Sequence, residues 1–193
     1  MTLTPELRVL LSSLAAAGRA NDAAAADRSR KMLNLDPDTA ELVAVIATAG
    51  GANRALEVGT SNGYSTIWLA AHVGHLTTID REPAKHRLAR ENLARAGLLD
   101  RVDLRTGDAT AILADLAGPF DLVLFDADRV SAPRQLELLL PKLSPRATVM
   151  HDNALSNPDE LAPYLAAIAA LPGFVHTIVP VGKGLSVASR RAG

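Results

Sequence analysis

The sequence ALEVGTSNGYS, from Ala55 to Ser65, runs from an apolar stretch into small polar residues and two glycines. An apolar run followed by glycines is typical of a buried β-strand that leads into a tight turn. In an open parallel sheet, ligands bind beyond the carboxyl ends of the strands, where the strand order changes direction. This turn is therefore the first candidate binding site, and the question is whether a ligand or only a neighbouring helix approaches it.

Strand-like and helix-like segments alternate along the rest of the chain. The predicted strands are RALEV, HLTTID, RVDLR, FDLVLFD and ATVMHD, and the helices between them are Tyr64–His72, Pro83–Ala96, Ala109–Ala117, Ala132–Leu140 and Pro158–Leu171. Two further extended runs, FVHTIVPV and GLSVAS, are joined by Gly182-Lys183-Gly184 and predict a terminal β-hairpin. The alternation predicts an α/β fold with a doubly wound, mostly parallel sheet and helices on both faces.

The N-terminal part of the chain departs from this alternation. An alanine-rich helix is predicted over Thr4–Ala26, interrupted near Gly18, and a charged connector follows with the sequence DRSRKMLNLD. A second helix begins at Pro37 with Asp36 as its N-cap. We therefore expect one domain over residues 1–193, in which residues 1–36 form a helical extension and connector.

Composition limits the classes of function. The 193 residues contain no cysteine, which excludes disulfides and thiolate chemistry, and the formal net charge of −1 gives no support to nucleic-acid or membrane binding. No apolar run approaches the ~18 residues of a membrane span. The apolar stretch Val9–Gly18 follows a cancelling Glu6 and Arg8 rather than a positively charged region, so we expect a helix of a cytoplasmic protein.

The glycine turn predicts a particular cofactor. It lacks both the GxGxxG of a nicotinamide site and the GKS or GKT of a phosphate loop. Glu57 would repel a pyrophosphate and suits a cationic ligand, and Asp80 stands where a carboxylate accepts hydrogen bonds from ribose. The turn Gly107-Asp108-Ala109 could contact an adenine, so the pattern describes S-adenosylmethionine. The alternative is a turn that only packs a helix on the sheet, with Asp80 capping the next helix.

Carboxylates follow two of the later strands. Asp126 ends FDLVLFD, and Asp152-Asn153 ends ATVMHDN, so neighbouring strands would bring three oxygen ligands into one space. Such oxygen ligands suit Mg²⁺, which lowers the pKa of a hydroxyl that it binds. The alternative is that Asp128 and Asp152 cap helices, which we expect for Asp128. We expect His151 to be a buried strand residue and His86 a surface or packing residue.

The chain resembles the cation-dependent O-methyltransferases, which include catechol and caffeoyl-CoA O-methyltransferases. The resemblance is carried by LEVGTSNGYS, TTIDREP, GDA, FDLVLFDAD, HDNALS and the tail VPVGKGLSVA. It implies a seven-stranded Rossmann-like sheet with an antiparallel last strand, a homodimer, and a Mg²⁺ ion bound by Asp126, Asp152 and Asn153. It also implies S-adenosylmethionine binding by Glu57, Gly59, Thr60, Ser61, Gly63, Ser65, Asp80, Arg81, Asp108 and Ala109.

The chain departs from the family pattern at three positions. Arg129 replaces a lysine that serves as general base, and a guanidinium stays protonated at working pH. We expect Asp126 and Arg129 to be catalytic, with Arg129 holding an anionic substrate or the developing oxyanion. Ser131-Ala132-Pro133 lacks the family's tyrosine, and Pro145-Arg146-Ala147 replaces a glycine pair in the turn before the fifth strand.

The sequence thus predicts an S-adenosylmethionine-dependent O-methyltransferase that acts on a small hydroxylated acceptor, catechol-like compounds among the candidates. Its N-terminal segment, with Arg28, Arg30 and Lys31, is expected to cover the acceptor site. Two alternatives stay open. One is methylation of hydroxylated uridine in transfer RNA, which the basic connector permits, and the other is a cofactor-binding protein with little catalysis.

Overall fold

One seven-stranded sheet, in the order β3-β2-β1-β4-β5-β7-β6, organises the computed structural model of the chain, which describes residues 3–190. The strands are β1 (Arg54–Val58), β2 (His75–Asp80), β3 (Val102–Thr106), β4 (Phe120–Phe125), β5 (Leu143–His151), β6 (Phe174–Val179) and β7 (Leu185–Arg190). Neighbouring strands are parallel except where β7 pairs with β5 and β6. The Rossmann-like prediction, with its antiparallel last strand and terminal hairpin, is confirmed.

Helices cover both faces of the sheet. They are α1 (Pro5–Ala24), α2 (Pro37–Ala49), α3 (Tyr64–Ala70), α4 (Pro83–Arg95), α5 (Ala109–Asp115), α6 (Ala132–Leu139) and α7 (Pro158–Ala169). Along β4, Leu122 and Leu124 pack in the core beneath α1–α4, whereas Val123 and Phe125 pack in the core beneath α5–α7. Because both of its faces are buried, β4 is apolar at almost every position.

Helix α1 is continuous through Gly18, so the predicted interruption is wrong. Gly18 is buried, and a Cβ atom at this position would lie 2.5 Å from Nδ2 of Asn34. The glycine therefore allows the connector to pack closely against the helix instead of breaking it. The apolar stretch of α1 packs in the core through Leu10, Leu11 and Leu14. Within residues 3–190, no helix is long and apolar enough to cross a membrane.

Two predicted boundaries have different outcomes. Helix α2 extends from Pro37 to Ala49 with Asp36 at the N-cap position, as predicted, although the Asp36 side chain makes no capping hydrogen bond. Strand β5 begins at Leu143, so Pro145–Ala147 lie within the strand and not in a turn before it. The pairing of β4 with β5 is irregular here: Phe120 pairs with Leu143, and the next pair is Leu122 with Thr148. Pro145 lies in the unpaired part of β5 between these two pairs, so its missing N–H does not remove a hydrogen bond from the sheet.

The candidate site residues follow strands that lie side by side at the centre of the sheet. Val58 of β1 pairs with Phe125 of β4, and Phe125 pairs with His151 of β5. The residues after these three strands therefore emerge at one edge. Since the strand order reverses direction between β1 and β4, this edge is the switch point at which ligands bind in such sheets.

Candidate active site

Protein atoms approach both glycines of the turn after β1. Gly59 has a φ of +116°, and a Cβ atom on it would lie 2.3 Å from the carbonyl oxygen of Asp126. Gly63 has a φ of +85°, and a Cβ atom there would lie 3.2 Å from Cα of Ala89 in α4. The two glycines thus let the turn pack between β4 and α4.

A cleft of about 790 Å³ opens above the turn and the ends of β2, β4 and β5. The predicted site residues that line it are Gly59, Thr60, Ser61, Ser65, Asp80, Arg81, Asp126, Arg129 and Asn153. Asp108 and Ala109 line a smaller adjoining cavity of about 60 Å³, which shares Gly59, Asp80 and Arg81 with the main cleft. The volume of the main cleft is within the range of small-molecule sites.

Glu57 lies beneath the turn rather than in the lining of the cleft. The side chain is fully buried, and its Oε2 atom accepts hydrogen bonds of 2.6 Å from the hydroxyls of Thr66 and Thr78. Its Oε1 atom is buried without a hydrogen-bond partner. Burial raises the pKa of Glu57 to about 7. In this structure, Glu57 therefore supports the turn from below.

Asp80 ties the turn to the end of β2. Its Oδ2 atom accepts a hydrogen bond of 2.8 Å from the Ser61 backbone N–H, and its Oδ1 atom accepts one of 3.0 Å from Glu82 N–H at the start of α4. Each carboxylate oxygen can accept a second hydrogen bond. Asp80 can therefore organise the turn and the helix start and still accept a hydrogen bond from a ligand in the cleft.

A histidine that the sequence did not single out for the site supports the turn. The hydroxyl of Thr60 lies 2.6 Å from that of Thr78 and 3.2 Å from Nε2 of His86, while Nδ1 of His86 lies 2.5 Å from the hydroxyl of Thr106. Burial lowers the pKa of His86, which favours the neutral ring that can donate at one nitrogen and accept at the other. The predicted surface or packing residue is thus a buried bridge between α4, β3 and the turn.

The predicted metal ligands lie together. The Asn153 side chain donates hydrogen bonds from Nδ2 to Oδ2 of Asp152 at 3.0 Å and to Oδ1 of Asp126 at 3.4 Å. Burial raises the pKa of both carboxyl groups, and repulsion by Asp152 raises that of Asp126 further. The Oδ1 atom of Asp152 is buried without a partner. The neighbouring strands thus hold two carboxyl groups and an amide in one space.

This group fits a hard divalent cation. Within residues 3–190, no cluster of three or more His, Cys, Asp or Glu side chains could hold a metal, so the third ligand would be the amide oxygen of Asn153. A half-turn of that amide would direct its oxygen, instead of its nitrogen, toward the carboxylates. A cation would also relieve the repulsion between the carboxylates and satisfy the unpartnered oxygen of Asp152. His151, next to this group, is buried as predicted.

Arg129 and Asp128 follow β4 and have different tasks. The Arg129 Nε atom donates a 2.7 Å hydrogen bond to Oε2 of Glu160 in α7, and the Arg129 side chain is 13% exposed. Asp128 accepts hydrogen bonds from Val130 N–H at 3.1 Å and from the hydroxyl of Ser131 at 2.5 Å. Asp128 therefore organises the turn before α6, but Ser131 occupies the N-cap position of that helix, so the prediction that Asp128 caps it is wrong. Arg129 lies on the wall of the cleft.

The connector between α1 and α2 forms part of the wall of the cleft. The Ser61 hydroxyl donates a 2.6 Å hydrogen bond to the carbonyl oxygen of Met32, and Asp22 holds the connector by accepting from the N–H groups of Met32 and Leu33. The sequence predicted that this segment covers the acceptor site, whereas the structure attaches it to the glycine turn through Ser61, a contact for which the sequence offered no signal. Of Arg28, Arg30 and Lys31, Arg28 alone lines the cleft.

A model of the O-methyltransferase family matches residues 19–164. A catechol O-methyltransferase of Mycobacterium tuberculosis is 37% identical over 147 residues, which are 74% of this chain and 65% of the relative. A catechol O-methyltransferase of Niastella koreensis is 33% identical over 137 residues, which are 67% of this chain and 62% of the relative.

A solved structure has the same fold. It is the O-methyltransferase TomG of Streptomyces achromogenes in complex with S-adenosylmethionine, which superposes with a TM-score of 0.80 at 30% identity. The superposition covers 94% of this chain and 89% of the TomG chain. This chain spans less than two thirds of the length of either catechol O-methyltransferase. The family model covers well over half of the chain, including the glycine turn and the predicted metal ligands Asp126, Asp152 and Asn153. The chain therefore belongs to the O-methyltransferase family.

Proposed function

We propose that this protein is an S-adenosylmethionine-dependent O-methyltransferase that uses a divalent cation, Mg²⁺ in the first instance, to methylate a small hydroxylated acceptor. The observation that carries the proposal is the cleft at the switch point. Asp126 and Asn153, which follow β4 and β5, line it beside the turn after β1, and Asp152 lies against Asn153. A cofactor subsite and an oxygen-ligand cation subsite would then share one cavity, as transfer of a methyl group between two bound molecules requires.

The cofactor would lie along the turn. Asp80 and Arg81 would face its ribose, and Asp108 and Ala109 of the adjoining cavity its adenine. Ser65 would face its methionine part, with Glu57 beneath. S-adenosylmethionine would supply the methyl group as an electrophile, and the chain's residues would fix its position. The hydrogen bonds that Ser61 donates to Asp80 and to Met32 support this placement of the cofactor, because they hold the turn in one conformation.

The acceptor would lie between the cation site and Arg129. Asp126, Asp152 and Asn153 would hold the cation, which would lower the pKa of an acceptor hydroxyl. Arg129 cannot remove the hydroxyl proton because a guanidinium does not titrate at working pH, so it would instead stabilise negative charge on the acceptor oxygen. The connector would exclude water from the cofactor side of the cleft.

The cellular context is a separate proposal. We propose that the protein is cytoplasmic, that each chain forms one domain and that two chains form a homodimer. The packing of the apolar stretch of α1 into the core supports a helix of the folded protein over a secretion signal. The dimer follows from the family resemblance, and light scattering during gel filtration tests it: a mass near 40 kDa, about twice the 20.2 kDa chain, is expected and a mass near 20 kDa contradicts it.

Transfer of a labelled methyl group from S-adenosylmethionine to catechol tests the proposed activity. We expect turnover with Mg²⁺, a loss of about a hundredfold or more with EDTA, and a similar loss in Asp152→Asn with Mg²⁺ present. Asp103→Asn, which removes a carboxylate from the exposed β3 edge, serves as the matched control. Cofactor binding without turnover on any catechol would favour the non-catalytic alternative, and salt-sensitive binding of transfer RNA would favour RNA methylation.

A further inference from the structure

Two cationic side chains line the acceptor end of the cleft. Arg129 follows β4, and Lys183 lies in the turn that joins β6 to β7; both share the cleft with Asp126 and Asn153. They lie far apart in the sequence, and the strand order β4-β5-β7 brings them to one edge of the sheet. The proposed function gives Lys183 no role in binding the cofactor.

The turn that carries Lys183 is held in one position. The backbone carbonyl oxygen of Lys183 accepts hydrogen bonds of 2.9 Å from Leu155 N–H and 3.1 Å from Ser156 N–H. Gly184 has a φ of +86°, and a Cβ atom there would lie 2.5 Å from Cγ of Leu155. The turn is therefore packed against the loop that follows Asn153, so the base of the Lys183 side chain is fixed beside the cation site.

Neither cation is fully used by the protein. Within residues 3–190, the half-buried Lys183 has no ion-pair partner within 4.0 Å. Arg129 donates only its Nε N–H to Glu160, which leaves the four N–H groups of its two Nη atoms without a protein acceptor in the same range, although the side chain is 13% exposed. A guanidinium with free Nη groups matches the two oxygens of a carboxylate.

The charges at this end of the cleft also favour an anion once the cation site is filled. The other charged groups that act on Asp126 and Asp152 are Glu57 and Asp36, and Glu160 pairs with Arg129. A divalent cation would offset the charges of Asp126 and Asp152, so that these two carboxylates would no longer repel an anion bound by Arg129 and Lys183. Burial raises the pKa of Asp126 and of Asp152, and the positive charges of Arg129 and Lys183 partly oppose that rise. Both cationic side chains are therefore close enough to act on the cation site.

We propose that Arg129 and Lys183 together bind a carboxylate carried by the methyl acceptor, so that the preferred acceptor is a hydroxylated carboxylic acid rather than a neutral catechol. The inference rests on the proposed function, because it assigns the acceptor to this end of the cleft. Lys183 is then a specificity-determining residue: it contributes to binding of the acid and not to the chemistry of the hydroxyl.

Two diols with the same ring test the proposal. Protocatechuate carries a carboxylate, and protocatechuyl alcohol carries a neutral group in its place. With saturating S-adenosylmethionine and Mg²⁺, we expect kcat/KM to favour the acid at least about tenfold, the effect of one charge-assisted contact. Lys183→Met should lower this ratio about tenfold through the KM for the acid. Lys183→Arg should retain it, and so should Lys85→Met, which removes a lysine from the cofactor end of the same cleft.

Failure of this inference is distinguishable from failure of the proposed function. Equal kcat/KM values for both diols in the unmodified protein, or an unchanged ratio in Lys183→Met, would overturn the inference and leave methyl transfer established. Methylation of neither diol would overturn the proposed function for catechols. Calorimetric titration of the same two diols, with S-adenosylhomocysteine and Mg²⁺ present, then decides the inference: acid binding weakened about tenfold in Lys183→Met supports it, and equal binding overturns it.

Discussion

Replacement of Glu57 by glutamine should change how the stability of the protein depends on pH. Burial raises the pKa of this carboxyl from 4.5 to about 7 in the folded protein. Below pH 4.5 both the folded and the unfolded chain hold the proton, so the group contributes no pH dependence there. Between pH 4.5 and 7 the unfolded chain loses the proton first, and the free energy of unfolding falls as pH rises.

The loss is complete above pH 7, where the folded protein ionises as well. At about 1.4 kcal/mol for each tenfold difference in proton affinity, a rise from 4.5 to about 7 corresponds to about 3 kcal/mol. Glutamine resembles the protonated side chain and does not titrate. Relative to the unmodified protein, Glu57→Gln should therefore gain about 3 kcal/mol in unfolding free energy between pH 4 and pH 8.

Urea unfolding of the ligand-free protein across that pH range measures this difference. Titrations at sites that do not interact with Glu57 are common to both proteins and cancel when the two curves are subtracted. Glu91→Gln, an exposed change on α4, is the matched control and should give a curve parallel to that of the unmodified protein. If the Glu57→Gln curve were also parallel, the carboxyl would not be desolvated beneath the turn, and the reasoning would fail.

Three further changes test the site. Gly59→Ala should destabilise the protein by about 3 kcal/mol or more and lower its Tm by roughly 6–12 °C in scanning calorimetry, because strain at positive φ adds to a clash with the carbonyl oxygen of Asp126. Gly97→Ala has positive φ but open space around its Cβ, so it should cost about 1 kcal/mol; equal losses in the two variants would contradict the close approach at Gly59. Mg²⁺ should raise the Tm of the unmodified protein but not that of Asp152→Asn, and a rise in both would place the cation elsewhere. His86→Phe should weaken S-adenosylmethionine binding several-fold in calorimetry, because Thr60 loses its imidazole partner; unchanged binding would show that this contact does not position the turn.

Much of the fold was predictable because local patterns agree with the buried strands. The largely apolar runs of β1 and β4 identify strands that are covered on both faces, and the glycines after β1 mark the turn at the switch point. Pro37 and Pro158 begin helices where the sequence predicted them. Such signals arise from a few neighbouring residues, so a single sequence contains them.

Features that depend on contacts between distant residues were not predictable. Gly18 looked like a helix breaker, yet it serves the packing of Asn34 sixteen residues later. The presence of Glu57 beneath the turn was visible, but its enclosure by Thr66 and Thr78 depends on how α3 packs on β2. Lys183 reaches the acceptor end of the cleft only because β7 inserts between β5 and β6, and no local pattern encodes that order.

Calorimetric titration of S-adenosylmethionine into the purified protein tests the central claim most directly. The account predicts one binding site per chain, with or without Mg²⁺, and an affinity at least about tenfold lower in Asp80→Asn, because the turn and the ribose subsite both depend on that carboxylate. Asp103→Asn should bind like the unmodified protein. Absence of binding, or equal affinity in Asp80→Asn, would contradict a cofactor site at the turn after β1.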